Sequence, residues 1–248
     1  MGCNNYLKIL QLIYMITVMK IKKELKSLSN KKQANLLKGY FKTGKGEYGE
    51  GDIFLGIKVP IQRQVAKKSI DLSVVGVEKL LNSKIHEERL VALLILVLKY
   101  ERGGEKEKKK IFETYLKNTK YINNWDLVDV TCPKIIGNYL LDKNRDVLYK
   151  LVKSKNLWER RMAIIATASF IRSNEFKDTI KIAEILLNDE HDLIHKATGW
   201  MLREVGKRDE KELTDFLDKY YSKMARTMLR YSIERLEDKK RKYYLQKK

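Results

Sequence analysis

The sequence predicts an all-α fold, an α-solenoid of helical hairpin repeats with a concave basic groove. Three observations predict it. Apolar residues recur at three- and four-residue spacing along nearly the whole chain, and no window shows the strict alternation of a half-buried strand. Only two prolines occur, Pro60 and Pro133, each placed where a helix could begin. A weak internal repeat is also present, and it sets the size of the unit.

The periodicity places helices at about residues 20–41, 60–70, 74–82, 85–100, 105–117, 133–142, 145–153, 157–172, 176–187, 191–205, 209–221 and 224–236, joined by short connections. Within them, Glu88, Arg89, Ala92, Leu93 and Leu94 align with Glu159, Arg160, Ala163, Ile164 and Ile165 at a separation of 71, two units of 35 or 36. A further step of 35 carries Trp158, Arg161 and Ile165 onto Leu193, Lys196 and Trp200. Two helices of this length cannot bury an apolar face alone, so such units stack and leave a concave side. Trp158 falls on the apolar start of its helix and matches Leu193, which marks it as core.

The N-terminus stands apart. Tyr6 to Met19 is apolar except for Lys8 and Gln11, yet this stretch is too short to span a bilayer and lacks the basic flank and cleavage site of a signal peptide. Gly2 opens a myristoylation-like start, but Tyr6 stands where Ser or Thr is needed. Met19 precedes an ordinary charged helix, so residues 1–18 are expected to be an extension, disordered or a mis-assigned start. Residues 19–238 form one domain, and 239–248 a basic tail.

Lys and Arg number 52 against 32 Asp and Glu, a formal net charge of +20 on 248 residues. The excess favours a polyanion, either a phosphate backbone or anionic lipid headgroups, and charge alone does not separate the two. Cys3 and Cys132 fit no disulfide framework or zinc spacing, which points to a reducing compartment, with Cys132 a small core residue. Two motif look-alikes fail on chemistry. Gly39-x4-Gly44-Lys45-Gly46 approaches a phosphate loop, but glycine replaces the metal-binding hydroxyl and a helix precedes it. His191 and His195 share a helical face without a third ligand.

The segments FLGIKVPIQRQVAKK, NNWDLVD followed by IIGNYL, LWERRMAIIATASFIR, KATGWMLREVGKRD and MARTMLRYSIERL occur in this order over roughly residues 20–238. Together they resemble the AlkD-type DNA alkylation repair family of HEAT-like repeat DNA glycosylases. The stretch GYFKTGKGEYGEGD is more glycine-rich than the family pattern, which puts the placement of the N-terminal helices in question.

The resemblance implies a monofunctional glycosylase that excises cationic N3- or N7-alkylated purines of the 3-methyladenine and 7-methylguanine type, leaving an abasic site. It also implies action without flipping the base into a pocket. Alkylation makes the purine a cationic leaving group, so no strong general acid is needed, and a carboxylate can stabilise the oxocarbenium-like sugar and position water. The matched positions assign that carboxylate to Asp129, aromatic walls to Trp125 and Trp200, and a phosphate-gripping guanidinium to Arg161 in preference to Arg160. Lys196, Arg203, Lys207, Arg208, Arg226 and Arg230 are candidates for the backbone track. No cofactor or metal is expected. The expected partner is double-stranded DNA carrying alkylated bases, with no membrane, no obligate protein partner, a monomeric state, and a cytoplasmic location, nucleoid-associated in a prokaryote. The alternative is a catalytically silent HEAT-like scaffold that binds damaged or branched DNA. A helical module for RNA or protein would leave the Asp and Trp set unexplained.

Overall fold

A computed structural model describes residues 17–246, and these are helical with no strand among them; the one β-type contact is an isolated bridge between Ile53 and Ile85. The fold is therefore all-α, as expected. The chain divides into two compact units, with the division between Leu127 and Val128. No helix of the described residues is long and apolar enough to cross a membrane.

The first unit holds α1 (17–27), α2 (Lys31–Tyr40), α3 (Val59–Lys68), α4 (Val74–Leu81), α5 (His86–Arg102), α6 (Glu105–Lys117) and the start of α7 (Trp125–Cys132). The expected single helix over 20–41 is two. Asn30 stops the first and caps the second by accepting a hydrogen bond from the Gln33 amide (3.0 Å), while its own N–H donates to the Leu55 carbonyl (2.8 Å). Gly56 serves that junction: its φ of +82° is unfavourable for other residues, and a Cβ there would collide with the Asn30 carbonyl oxygen. At the centre lies α5, whose residues Leu90 to Val97 are all buried, because α3, α4 and α6 pack around it.

The second unit comprises the rest of α7, then α8 (Asp146–Leu151), α9 (Leu157–Ala166), α10 (Ala168–Arg172), α11 (Lys177–Ile185), α12 (Asp192–Gly206), α13 (Glu210–Tyr220), α14 (Arg226–Ser232) and α15 (Asp238–Gln246). Here α12 is central, packed by α9, α13 and α14. Its approach to α14 needs Gly199, where a Cβ would lie 2.5 Å from the Met228 carbonyl oxygen and 2.6 Å from the Tyr231 Cβ.

The repeat is written in the turns that start three helices. Ser83 Oγ accepts from the Ile85 amide, Ser154 Oγ from the Asn156 amide and Asp189 Oδ1 from the His191 amide, at 3.0, 3.0 and 2.9 Å. These positions are separated by 71 and then 35, the spacing seen in the sequence. Six residues after each, Arg89, Arg160 and His195 reach back to the carbonyls of Ser83, Ser154 and Asp189. Asn156 and His191 are equivalent caps, accepting from the amides of Trp158 and Leu193. One local device thus begins α5, α9 and α12.

Several expectations need correction. The periodicity assigns no helix to NNWDLVD, yet Trp125–Cys132 is helical. Pro133 does not begin a helix; it sits within a π turn, Pro133–Gly137, that continues α7, because proline has no N–H to complete the α ladder. The helix expected over 157–172 is interrupted at Thr167. Residues of the basic C-terminal segment form α15, with Tyr244 buried and its hydroxyl donating to Asp218 (2.9 Å). Of the expected extension, 1–16 lie outside the described residues, Cys3 among them; residues 17 and 18 belong to α1, and Val18 is buried. Trp158 and Cys132 are buried, as a core role requires.

Candidate active site

In the second unit the chain brings together two residues 32 apart. Arg161, on the first turns of α9, donates from Nε to Asp129 Oδ1 (2.9 Å) and from Nη2 to Asp129 Oδ2 (2.7 Å), a bidentate fork on one carboxylate. Its Nη1 donates to the Leu193 carbonyl at the start of α12. The guanidinium is 6 % exposed and the carboxylate 14 %. Three of the five guanidinium N–H groups are therefore committed, leaving two. The expectation for Arg161 was a phosphate; the structure gives it the Asp129 carboxylate as first partner. Arg160, its rival in sequence, belongs to the repeat: it grips the carbonyls of Ser154 and Lys155 and pairs with Asp189 (2.6 Å).

One turn beyond Asp129, Cys132 donates from Sγ to the Met162 carbonyl (3.4 Å). Burial, with the Asp129 charge adding to it, pushes this thiol well above its ordinary value, so it stays protonated and inert.

Trp200 lies on α12 seven residues after Leu193, about 10 Å along the helix axis. It is half-buried beside a cleft of about 530 Å³ whose apolar wall is Ala168, Ile171 and Met201. The rim is cationic, with Arg172, Lys207 and Arg208 opposed only by Glu204. Arg172 donates to Ser169 Oγ (2.8 Å) and Arg208 to Asn174 Oδ1 (3.0 Å), both neutral partners, while Lys207 pairs with Glu204 (2.6 Å). Sequence reasoning missed Arg172; only its place at the C-terminal end of an apolar helix could have flagged it.

The other track candidates differ. Lys196 pairs with Asp192 on its own helix (2.6 Å). Arg203 is held by Glu204 and Glu234, and Arg226 Nη1 donates to the Leu245 carbonyl (3.0 Å), so both are tied to internal partners. Arg230 is exposed, with no ion pair among the described residues.

Trp125 belongs to the first unit and ends a stack of rings. Its indole lies 5.2 Å from Phe41 at 17°, Phe41 lies 5.0 Å from Phe54 at 18°, and Phe54 lies 4.5 Å from the His86 imidazole at 23°. Tyr40 meets Trp125 edge-on at 5.8 Å. His86 is 2 % exposed and touches a carboxylate with each nitrogen: Nδ1 to Asp52 (3.1 Å) and Nε2 to Asp126 (2.8 Å). A neutral imidazole has one N–H and would set a lone pair against one of these oxygens, whereas the imidazolium satisfies both. Burial alone would lower its pKa, but the Asp126 charge and the two carboxylate hydrogen bonds outweigh it and raise the value to about 9. Arg89 also donates to Asp52 (2.7 Å), and burial notwithstanding, His86 and Arg89 hold the Asp52 carboxyl below its usual range. Next to His86, Glu87 accepts from the amides of Leu55, Gly56 and Ile57, which fixes the segment carrying Phe54.

Neither look-alike motif holds a ligand set. The amides of Gly44 and Gly46 donate to the side chains of Glu47 and Glu50 (2.8 Å each), so carboxylates occupy the place of a phosphate. His191 is a helix cap and His195 binds a carbonyl; no group of three metal-ligating side chains occurs among the described residues.

The pattern of the DNA alkylation repair enzyme family matches residues 21–236, and the chain belongs to that family. Its fold is also that of a solved structure described as a predicted DNA alkylation repair enzyme from Enterococcus faecalis. The two share 18 % identity at a TM-score of 0.67, over 85 % of this chain and 97 % of the other. No curated protein matches the chain. The family places the chain among DNA repair enzymes and makes DNA its partner.

Proposed function

We propose that the protein is a monofunctional DNA glycosylase for cationic N3- and N7-alkylated purines. The observation that carries this reading is the Arg161 fork on Asp129, which holds a poorly exposed carboxylate in one orientation. The alkylated base is already cationic, so the bond from C1′ to its ring nitrogen breaks with the electron pair leaving on a neutral purine. The Asp129 charge faces the oxocarbenium-like sugar as it forms, and water adds its oxygen to C1′ and releases a proton to solvent or to the carboxylate. Trp125 and Trp200 offer π faces to the cationic sugar and base, an attraction that strengthens as charge develops. Arg161 orients Asp129 first, and its two remaining donors are available to a phosphate oxygen. Arg172, Lys207 and Arg208 supply backbone contacts next to Trp200. The scheme assigns no lysine a Schiff-base role, so the expected product is an intact abasic strand.

The test is release of free 7-methylguanine from a duplex carrying that lesion, followed under single-turnover conditions. Release with no strand cleavage supports the proposal. Tight binding to the same duplex without release of any cationic alkylpurine would assign the chain to the silent scaffold instead.

A further inference from the structure

We propose that His86 is a positioning residue for Trp125: an imidazolium buried between Asp52 and Asp126 locks both the helix turn that carries the indole and the ring stack on which it rests. The geometry supplies two separate routes. Through the chain, Nε2 donates to Asp126, the residue after Trp125, and the other oxygen of that carboxylate accepts from the Leu127 amide (2.9 Å). Asp126 therefore ties the buried Leu127 amide in the first turn of α7 to a cation on α5. Through the rings, His86 stacks on Phe54, Phe54 on Phe41, and Phe41 on Trp125, so the imidazolium anchors the end of the stack away from the indole.

The network is closed by charge. Asp52 comes from the segment before α3, Asp126 from α7 and Arg89 from α5, and together with His86 they form two anions and two cations, each at most 12 % exposed by side chain. An ion pair so placed is strongly destabilised when one member is removed, which gives it the means to fix geometry. Loss of the His86 charge leaves one N–H for two carboxylates, so either Asp126 or Asp52 loses its imidazole donor and the network that fixes the turn is loosened. Trp125 is half-buried and edge-on to Tyr40, so a small rotation of α7 would move the indole face. Misplacement of a reacting-site group by about 1 Å costs on the order of a hundredfold in rate.

The value of this device to catalysis rests on the glycosylase reading, but the positioning itself is measurable without it. Protein labelled with 5-fluorotryptophan is followed by fluorine NMR, the Trp125 resonance being identified by its loss in Trp125→Phe. The expected result is a Trp125 shift that titrates with a midpoint near pH 9 in the parent and no longer does so in His86→Gln. A titration near pH 9 that survives His86→Gln, or a resonance unmoved by the substitution, would overturn the proposal. Asp126→Asn cuts the chain route and removes the charge that most raises the His86 pKa; if His86→Gln fails to fold, the Trp125 midpoint in this variant should fall below that of the parent, and an unchanged midpoint would overturn the proposal. In single-turnover base release, His86→Gln alone should slow the reaction about tenfold to a hundredfold. It should add nothing further to Trp125→Ala. Multiplying losses would assign His86 to general stability instead. Absence of release by the parent would sink the glycosylase reading and leave the NMR result to decide the positioning.

Discussion

Trp125 and Trp200 match the same kind of position in the sequence, aromatic walls for a cationic site, yet their surroundings differ. Trp125 ends a stack of three other rings backed by a buried network of two carboxylates, an imidazolium and a guanidinium. Trp200 stands at an open cleft with cationic rims and only one carboxylate in the lining. The first is held by its own unit; the second borders an open cleft. In a protein of net charge +20 this contrast teaches where the charge acts. Buried charges fix geometry, and the proposed function leaves the cations at the cleft for phosphate.

The comparison breaks most severely at the Asp129–Arg161 pair, which combines both features. Arg161→Ala leaves a 14 % exposed carboxylate without its fork. The expected loss of stability is about 3–5 kcal/mol, read as a drop in denaturant midpoint at unchanged slope. A loss below about 1 kcal/mol would mean that the pair behaves as a surface contact.

The His86 network comes next. Its pKa is raised from 6.5 to about 9 in the folded state. The folded state therefore binds this proton more tightly than the unfolded chain, and the stabilisation is fully present below about pH 6.5 and lost as pH rises through about 9. It is on the order of 3 kcal/mol. Melting temperature should fall between pH 7 and 10 in the parent and fall much less in His86→Gln. Equal slopes would remove the imidazolium from the account.

The smallest expected effect lies on the Trp200 side. Arg208→Ala should leave stability nearly unchanged, since its partner is the neutral Asn174, and should lower the magnitude of the log K versus log salt slope for duplex DNA by about one unit. Arg226→Ala serves as the contrast. Its guanidinium is tied to the Leu245 carbonyl, so the slope should stay and stability should fall instead.

The helical class and the repeat were legible because they are local. The steps of 71 and 35 reflect a Ser or Asp turn followed by an Arg or His six residues on, all within a dozen residues of chain. The helix at NNWDLVD was not legible. It is only eight residues long, Asn124 bonds only to the adjacent Trp125 amide, and Pro133 looks like a beginning when it marks a π turn in a continuing helix. Residue types at the site could be matched one by one, but their partners could not. The Arg161 contact with Asp129 spans 32 residues and the His86 contact with Asp126 spans 40, and nothing in either local pattern announces the other. Glu87 was invisible for a further reason: its role is to hold three backbone amides, which carry no sequence signature.

The central claim is that Asp129 supplies the charge opposing the oxocarbenium-like sugar while other groups hold the DNA. Asp129→Asn keeps the shape and an acceptor for Arg161 but removes that charge, so it separates chemistry from binding. Single-turnover release of 7-methylguanine should slow by about 10²–10³-fold, roughly 3–4 kcal/mol, in a protein that still folds. Affinity for duplex DNA with an abasic-site analogue should hold or improve, since a negative charge near phosphates is gone. Release by Asp129→Asn at close to the parent rate would contradict the account.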